Sequence, residues 1–262
     1  MARRQCITKG KGELSVSSKQ AQLYHSITIG DKNTWDDWHL VPSTRPSFAM
    51  PEVKTNYVEV PGMSGMLDLS QALTGKVIYG NRSGSLSFIV MNDYGSWETR
   101  YSEIADYLHG KAHRCILDDD PGYYYEGRFA LEPWQTGKGN SAITINYTLN
   151  PFKIEVLGSE EDMLWDTFNL TLGYVREYKN IRIPGGSVDT DILVMNDEME
   201  VIPTITVTNN MKVKFNGDTY YDLSNSGENK IRKIKLQPGE NHLIFKASST
   251  GNVTIAFHPG RL

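Results

Sequence analysis

Residues 53–92 read VKTNYVEVPGMSGMLDLSQALTGKVIYGNRSGSLSFIVMN, and the fold turns on how this stretch is divided. In its opening part Val53, Thr55, Tyr57 and Glu59 share one face, while Lys54, Asn56, Val58 and Val60 share the other. Neither side is purely apolar, so a strand is expected here from the enrichment in Thr, Tyr and Val. Pro61 and Gly62 end it, and Met63 to Met66 form a tight turn. Residues 84–92 alternate more cleanly, with Leu86, Phe88 and Val90 opposite Ser85, Ser87 and Ile89, the pattern of a strand with one face buried. The cover for that face follows directly. Ser96 is a suitable N-cap, Trp97, Tyr101, Ile104, Ala105 and Leu108 recur at helical spacing, and Gly110 supplies a left-handed stop, which predicts a helix over residues 96–109 docked on a sheet.

Working outward, residues 23–29 read as a strand followed by turn chemistry at Asp31, Lys32 and Asn33, with Trp35, Trp38 and Leu40 as a second apolar set. Residues 42–51 carry three prolines and are expected to form a loop. Beyond the helix, strands are predicted at 112–117, 123–131 and 141–149, the last with Ile143, Ile145, Tyr147 and Leu149 on an apolar face. Residues 153–162 read as a linker or a bridging strand with its turn. From Met163 the chain reads as short strands with no helical pattern between them: 165–174, 180–183, 199–208, 211–215, 219–223, 231–236, 242–247 and 252–257. Such spacing suggests an antiparallel sandwich. The expected class is therefore mainly β with one packed α-helix, divided into a basic extension at 1–22, a β domain at 23–153 and a β-sandwich at 154–262. The extension reads either as a disordered leader or as an arm that orders against a neighbouring subunit.

Composition narrows the function. The 262 residues include 27 basic and 31 acidic side chains, a formal net charge of -4, which argues against sequence-specific nucleic-acid binding through a strong positive field. Two cysteines, Cys6 and Cys115, provide neither a disulfide framework nor zinc spacing, so synthesis in a reducing cytoplasm is expected. No apolar run approaches the roughly 20 residues of a membrane span.

In order along the chain, YHSITIGDKNTWDDWHLVP (24–42), EVKTNYVEVPGMSGMLDLSQALTG (52–75), YGNRSGSLSFIVMN (79–92) and SWETRYSEIADYLHGK (96–111) resemble the N-terminal domain of phage distal tail proteins. The resemblance implies an N-terminal ring-forming domain of β-sandwich or split-barrel kind and a C-terminal galectin-like sandwich. It also implies a non-enzymatic virion component: a hexameric ring hub joining the tail tube to the tail-tip hub or tail-associated lysin and the receptor-binding protein. In such a ring the edge strands of an open sheet would be covered by neighbouring copies.

Few residues suggest chemistry. Asp118, Asp119 and Asp120 lack the spacing of a calcium loop, and Asp120 with Glu126 is the one carboxylate pair near a tyrosine-rich strand that a glycosidase reading could use. His109 and His113 are four apart, but Gly110 interrupts the helix between them. No nucleophile elbow or phosphate loop is present, and neither catalytic residues nor a cofactor or metal is expected. The alternative function is a carbohydrate-binding module for host surface glycans, with Trp165, Tyr220 and Tyr221 as candidate glycan or interface contacts. Tyr220 and Tyr221 are adjacent in a strand, so they must point to opposite faces.

Overall fold

The computed structural model describes residues 25–90, 97–136, 141–161, 177–217 and 219–262. The expectations for the extension at 1–22, the Ser96 cap and the strand at 165–174 lie outside them. The described elements are β1 (Ile27–Ile29), β2 (Lys32–Asn33), β3 (Leu40–Pro42), β4 (Tyr57–Glu59), β5 (Met66–Asp68), β6 (Arg82–Val90), α1 (Trp97–Leu108), β7 (Ala112–Leu117), β8 (Tyr123–Leu131), β9 (Gln135–Thr136) and β10 (Ser141–Leu149). They continue as β11 (Lys153–Glu155), β12 (Ile181–Ile183), β13 (Asp189–Asn196), β14 (Thr204–Val207), β15 (Met211–Phe215), β16 (Tyr220–Leu223), β17 (Gly239–Ala247), β18 (Gly251–Ala256) and β19 (Gly260–Arg261). Among the described residues the fold is mostly β with one helix, and every paired strand is antiparallel.

The first sheet runs β2-β1-β7-β8-β10-β6-β3. Its longest ladder joins β6 and β10, registered through Phe88 with Ile143 and Leu86 with Ile145. The alternation foreseen there is realised: Leu86, Phe88, Ile143, Ile145, Tyr147 and Leu149 are buried while Ser85 and Ser87 face water. Ile104 and Leu108 of α1 enter the same core with Trp38, Leu40, Phe129 and Leu131. Gly110 follows the helix at φ 75°, a conformation a Cβ would disfavour, and its amide reaches the Phe129 carbonyl at 2.8 Å.

The second core lies between the sheets β12-β18-β14 and β13-β17-β15-β16. Ile183, Ile205, Val207, Val253 and Ile255 come from the first of these, and Ile192, Val194, Val213, Leu223, Leu243 and Phe245 from the second. Two differences from the sequence reading concern this half. β13 was not foreseen, because Asp189, Asp191 and Asn196 mask the apolar alternation of Ile192 and Val194. Residues 231–236 form a turn and an isolated bridge from Leu236 to Val201 instead of a strand, although Ile234 and Leu236 are buried as plugs.

The two halves are joined by strand pairing. β11 pairs with β8 on one side, Ile154 opposite Tyr124, and with β19 on the other, Ile154 opposite Gly260. Arg261 lies between Asp197 at 2.9 Å and Glu155 at 3.6 Å, and Lys153 reaches Asp120 at 2.7 Å.

A glycine tests how tightly the first sheet is built. A Cβ at Gly127 would overlap the Thr148 carbonyl oxygen and sit 2.6 Å from Leu149 Cα, both backbone atoms that cannot swing aside, whereas one at Gly122 meets nothing within 4 Å. Gly127→Ala should therefore lower unfolding stability by about 1–3 kcal/mol, with Gly122→Ala near neutral, as read by the midpoint of urea denaturation.

Candidate functional site: an apolar hairpin and an aromatic cleft

The chain between Met50 and Arg82 leaves the first sheet and returns to it. Its root is closed by Lys54 N donating to Ile78 O at 2.8 Å and Gly80 N donating to Glu52 O at 2.7 Å. Further out, β4 and β5 pair Tyr57 with Asp68, Val58 with Leu67 and Glu59 with Met66, and belong to no larger sheet. The reversal between them needs Gly62 at φ 84° and Gly65 at φ 87°. All six strand residues are exposed. Tyr57 and Met66 are each more than half accessible, and Leu73, in the turn after β5, is fully so. Val53, Val60, Met63, Leu69 and Val77 extend the same apolar surface.

This geometry explains the mixed pattern of residues 53–60. A strand with no face against a core has no reason to segregate its apolar side chains, so Val58 and Leu67 lie on one side and Tyr57 and Met66 on the other. An isolated two-stranded ribbon is only marginally stable in water. It also leaves one backbone edge of each strand unpaired, whereas the ends of the first sheet's main path are β2 and the proline-bearing β3, two and three residues long. The groups most open to further pairing are therefore on the arm. Covering a large apolar side chain is worth roughly 1.5–3 kcal/mol, so a surface of this kind is complementary to protein, not to water.

A buried cation anchors the arm. Arg82, 2% accessible, donates through Nε to Pro151 O at 2.8 Å and through Nη1 to Ala49 O at 3.0 Å, and its guanidinium lies 5.5 Å from the Tyr125 ring centre. Burial pulls its pKa below the usual arginine value.

On the outer face of the β13-β17-β15-β16 sheet, Tyr220 lies across its neighbours. Its hydroxyl donates to Asp189 Oδ2 at 2.7 Å, which raises the phenol pKa, and Lys214 Nζ and Lys246 Nζ stand 5.2 and 5.7 Å from the ring centre. It borders a 750 Å³ cleft with Ser187, Lys212, Asp222, Asn229 and Ser248. Tyr221 points the other way and packs on the second core. The third candidate contact, Trp165, lies outside the described residues.

The remaining sequence candidates are held apart by structural bonds. Asp118 bonds Ser26 Oγ, Asp119 meets His25 at 2.8 Å and Arg45 at 2.9 Å, and Asp120 meets Lys153. Glu126 pairs with Arg114 at 2.8 Å instead of facing Asp120 across a substrate gap. His109 Nδ1 accepts the Leu131 amide, while His113 stacks on Tyr107, so the two rings do not converge. No group of three metal-ligating side chains occurs among the described residues, and none of their helices is long and apolar enough to cross a membrane.

No protein-family model matches the chain, and no curated protein matches it in sequence. Its fold has a counterpart among solved structures. The crystal structure of the SPP1 Dit protein, described as a paradigm of the hub adsorption apparatus in phages infecting Gram-positive hosts, superposes with a TM-score of 0.57. The match covers 90% of this chain and 99% of that one at 15% identity. At that identity the likeness is one of fold. The arm was visible in sequence only as a strand and a turn, and its exposure was signalled by the absence of a clean apolar face.

Burial works upward on the Asp119 carboxyl, and the bonds from His25 and Arg45 outweigh it, leaving its pKa below the ordinary aspartate value. Its contribution is present above that ordinary value and is lost as pH falls through the lower folded one. Because Arg45 and His25 are well exposed, the effect is about 1 kcal/mol or less. Asp119→Asn should remove that part of the acid dependence below about pH 4, measured by urea midpoints from pH 2.5 to 7.

Proposed function

We propose that this chain is a structural, non-enzymatic subunit of the tip of a long phage tail, assembling with its own copies into a closed ring. The observation that carries this reading is the arm at residues 50–80, a ribbon whose apolar side chains are exposed on both faces, with none of the described residues packed over β4 and β5. A second copy is the partner always at hand during assembly, and a closed cyclic arrangement satisfies every arm with one neighbour each. The fold shared with a phage hub adsorption protein supports the same reading.

On this view the two cores are two domains that meet near residue 153. The first builds the ring, six-membered as the resembled family implies, and the second carries other tail-tip components. Its contacts would be the tail tube above and the host-adsorption apparatus below, and its place the virion tail after synthesis in the host cytoplasm.

A second reading concerns the second sandwich alone. Tyr220 is immobilised by Asp189 at the mouth of a polar cleft, an arrangement suited to stacking against a sugar ring. Tyr220→Ala should then abolish retention on immobilised cell-wall polysaccharide without changing the oligomer. Unaltered retention would exclude the cleft.

Val58→Asp with Leu67→Asp places two facing carboxylates on the arm at positions that carry no buried contact in the subunit. Light scattering with mass determination should find the wild-type chain as a closed oligomer and the double variant as a monomer, with unfolding stability within about 0.5 kcal/mol. A wild-type chain that stays monomeric at tens of micromolar would sink the ring.

A further inference from the structure

The arm touches more than the sheet from which it grows. On the segment that leads from the arm back to the first sheet, Lys76 Nζ meets Glu200 Oε1 of the second sandwich at 2.5 Å, and this bond, before any other cause, lowers the Glu200 pKa. Three residues on, Tyr79 sets its ring edge-on against Phe152 of the crossover, with centres 5.8 Å apart. Between these two contacts lies a 400 Å³ cleft lined by Val77, Tyr79, Phe152, Met199 and Pro238. The seam is thus pinned at its two ends, with an open cleft between them.

Such a seam differs from the packed cores on either side of it. Close-packed interiors resist displacement, whereas an open cleft leaves room for the arm and the sandwich to shift against each other. An ion pair at its rim then decides which relative pose is favoured. Both side chains are partly exposed, Lys76 at 42% and Glu200 at 32%, so the bond is weak and biases the pose only severalfold.

We propose that the Lys76–Glu200 pair is a latch linking the pose of the arm to the orientation of the second sandwich, so that capture of the arm by a neighbouring copy and reorientation of the sandwich are coupled. The inference rests on the assembly reading above for the neighbour, and on this chain alone for the latch. Coupling of this kind is reciprocal: whatever turns the sandwich also changes the affinity of the arm for its neighbour. A load attached to the second sandwich would thereby be felt in the ring.

The test is a charge exchange in the full chain. Spin labels are placed at Ser64→Cys on the arm and Val188→Cys on the sandwich, on a Cys6→Ser background; Cys115 is fully buried, its thiol pushed up in pKa, and does not compete. Lys76→Glu and Glu200→Lys should each broaden the distance distribution and raise the concentration for half-assembly severalfold, and the double exchange K76E/E200K should restore both. Distances that do not respond to the single reversals, or an exchange that rescues neither quantity, would overturn the latch. If the aspartates at Val58 and Leu67 dissolve the oligomer while Glu200→Lys changes nothing, the latch fails and the ring stands. If the wild-type chain is monomeric, the distances alone still decide the latch.

Discussion

A single guanidinium holds the architecture in register. Arg82 is among the largest fully buried side chains, and its two bonded nitrogens close on carbonyls from Ala49 and Pro151. Those carbonyls belong to the segment that enters the arm and the segment that leaves the first sheet for the second half, while Arg82 itself begins β6, where the arm returns. A buried charge without a carboxylate is costly unless its donors are met; Nε and Nη1 are met where the three segments come together, while Nη2 is buried with no hydrogen-bond partner among the described residues. The Tyr125 face supplies further compensation. The arm's direction and the course of the crossover follow from that point.

The two cores, by contrast, are ordinary, and they were the part best foreseen. Residues 112–117, 123–131, 141–149 and 211–215 became strands with the expected bounds, and the alternation of apolar and polar residues is cleanest in 141–149 and 211–215. The helix was equally plain from Trp97 to Leu108. What misled was polarity. β13 hid behind its aspartates, whose side chains face outward and meet His242 and Lys246 on β17, and residues 231–236 looked like a strand because Ile234 and Leu236 fill the core from a turn.

The functional surface was harder to read for a related reason. Sequence patterns report burial, and the arm is defined by apolar side chains that the described residues leave exposed. Taken singly, Val58 and Leu67 look like core residues; the lack of a clean apolar face around them was the one hint of exposure, and the backbone route shows that they project. The same limit applied to Tyr220 and Tyr221, where alternation required opposite faces but could not say which ring would lie outward, and the Tyr220 bond to Asp189 spans 31 residues. The acidic run 118–120 shows the reverse case: residues with the chemistry of a site that are spent on tying together a strand, a loop and the crossover.

The pairing of β11 with β19 carries a consequence for biosynthesis. Residue 154 cannot complete its ladder until residue 260 has been made, so the middle strand of that seam waits with one edge bare while more than a hundred residues emerge from the ribosome. During that interval the sheet strand β8 is the single partner β11 has. Closure of the seam is therefore a late step in synthesis, and a chain extended only as far as the second sandwich leaves that edge of β11 unpaired.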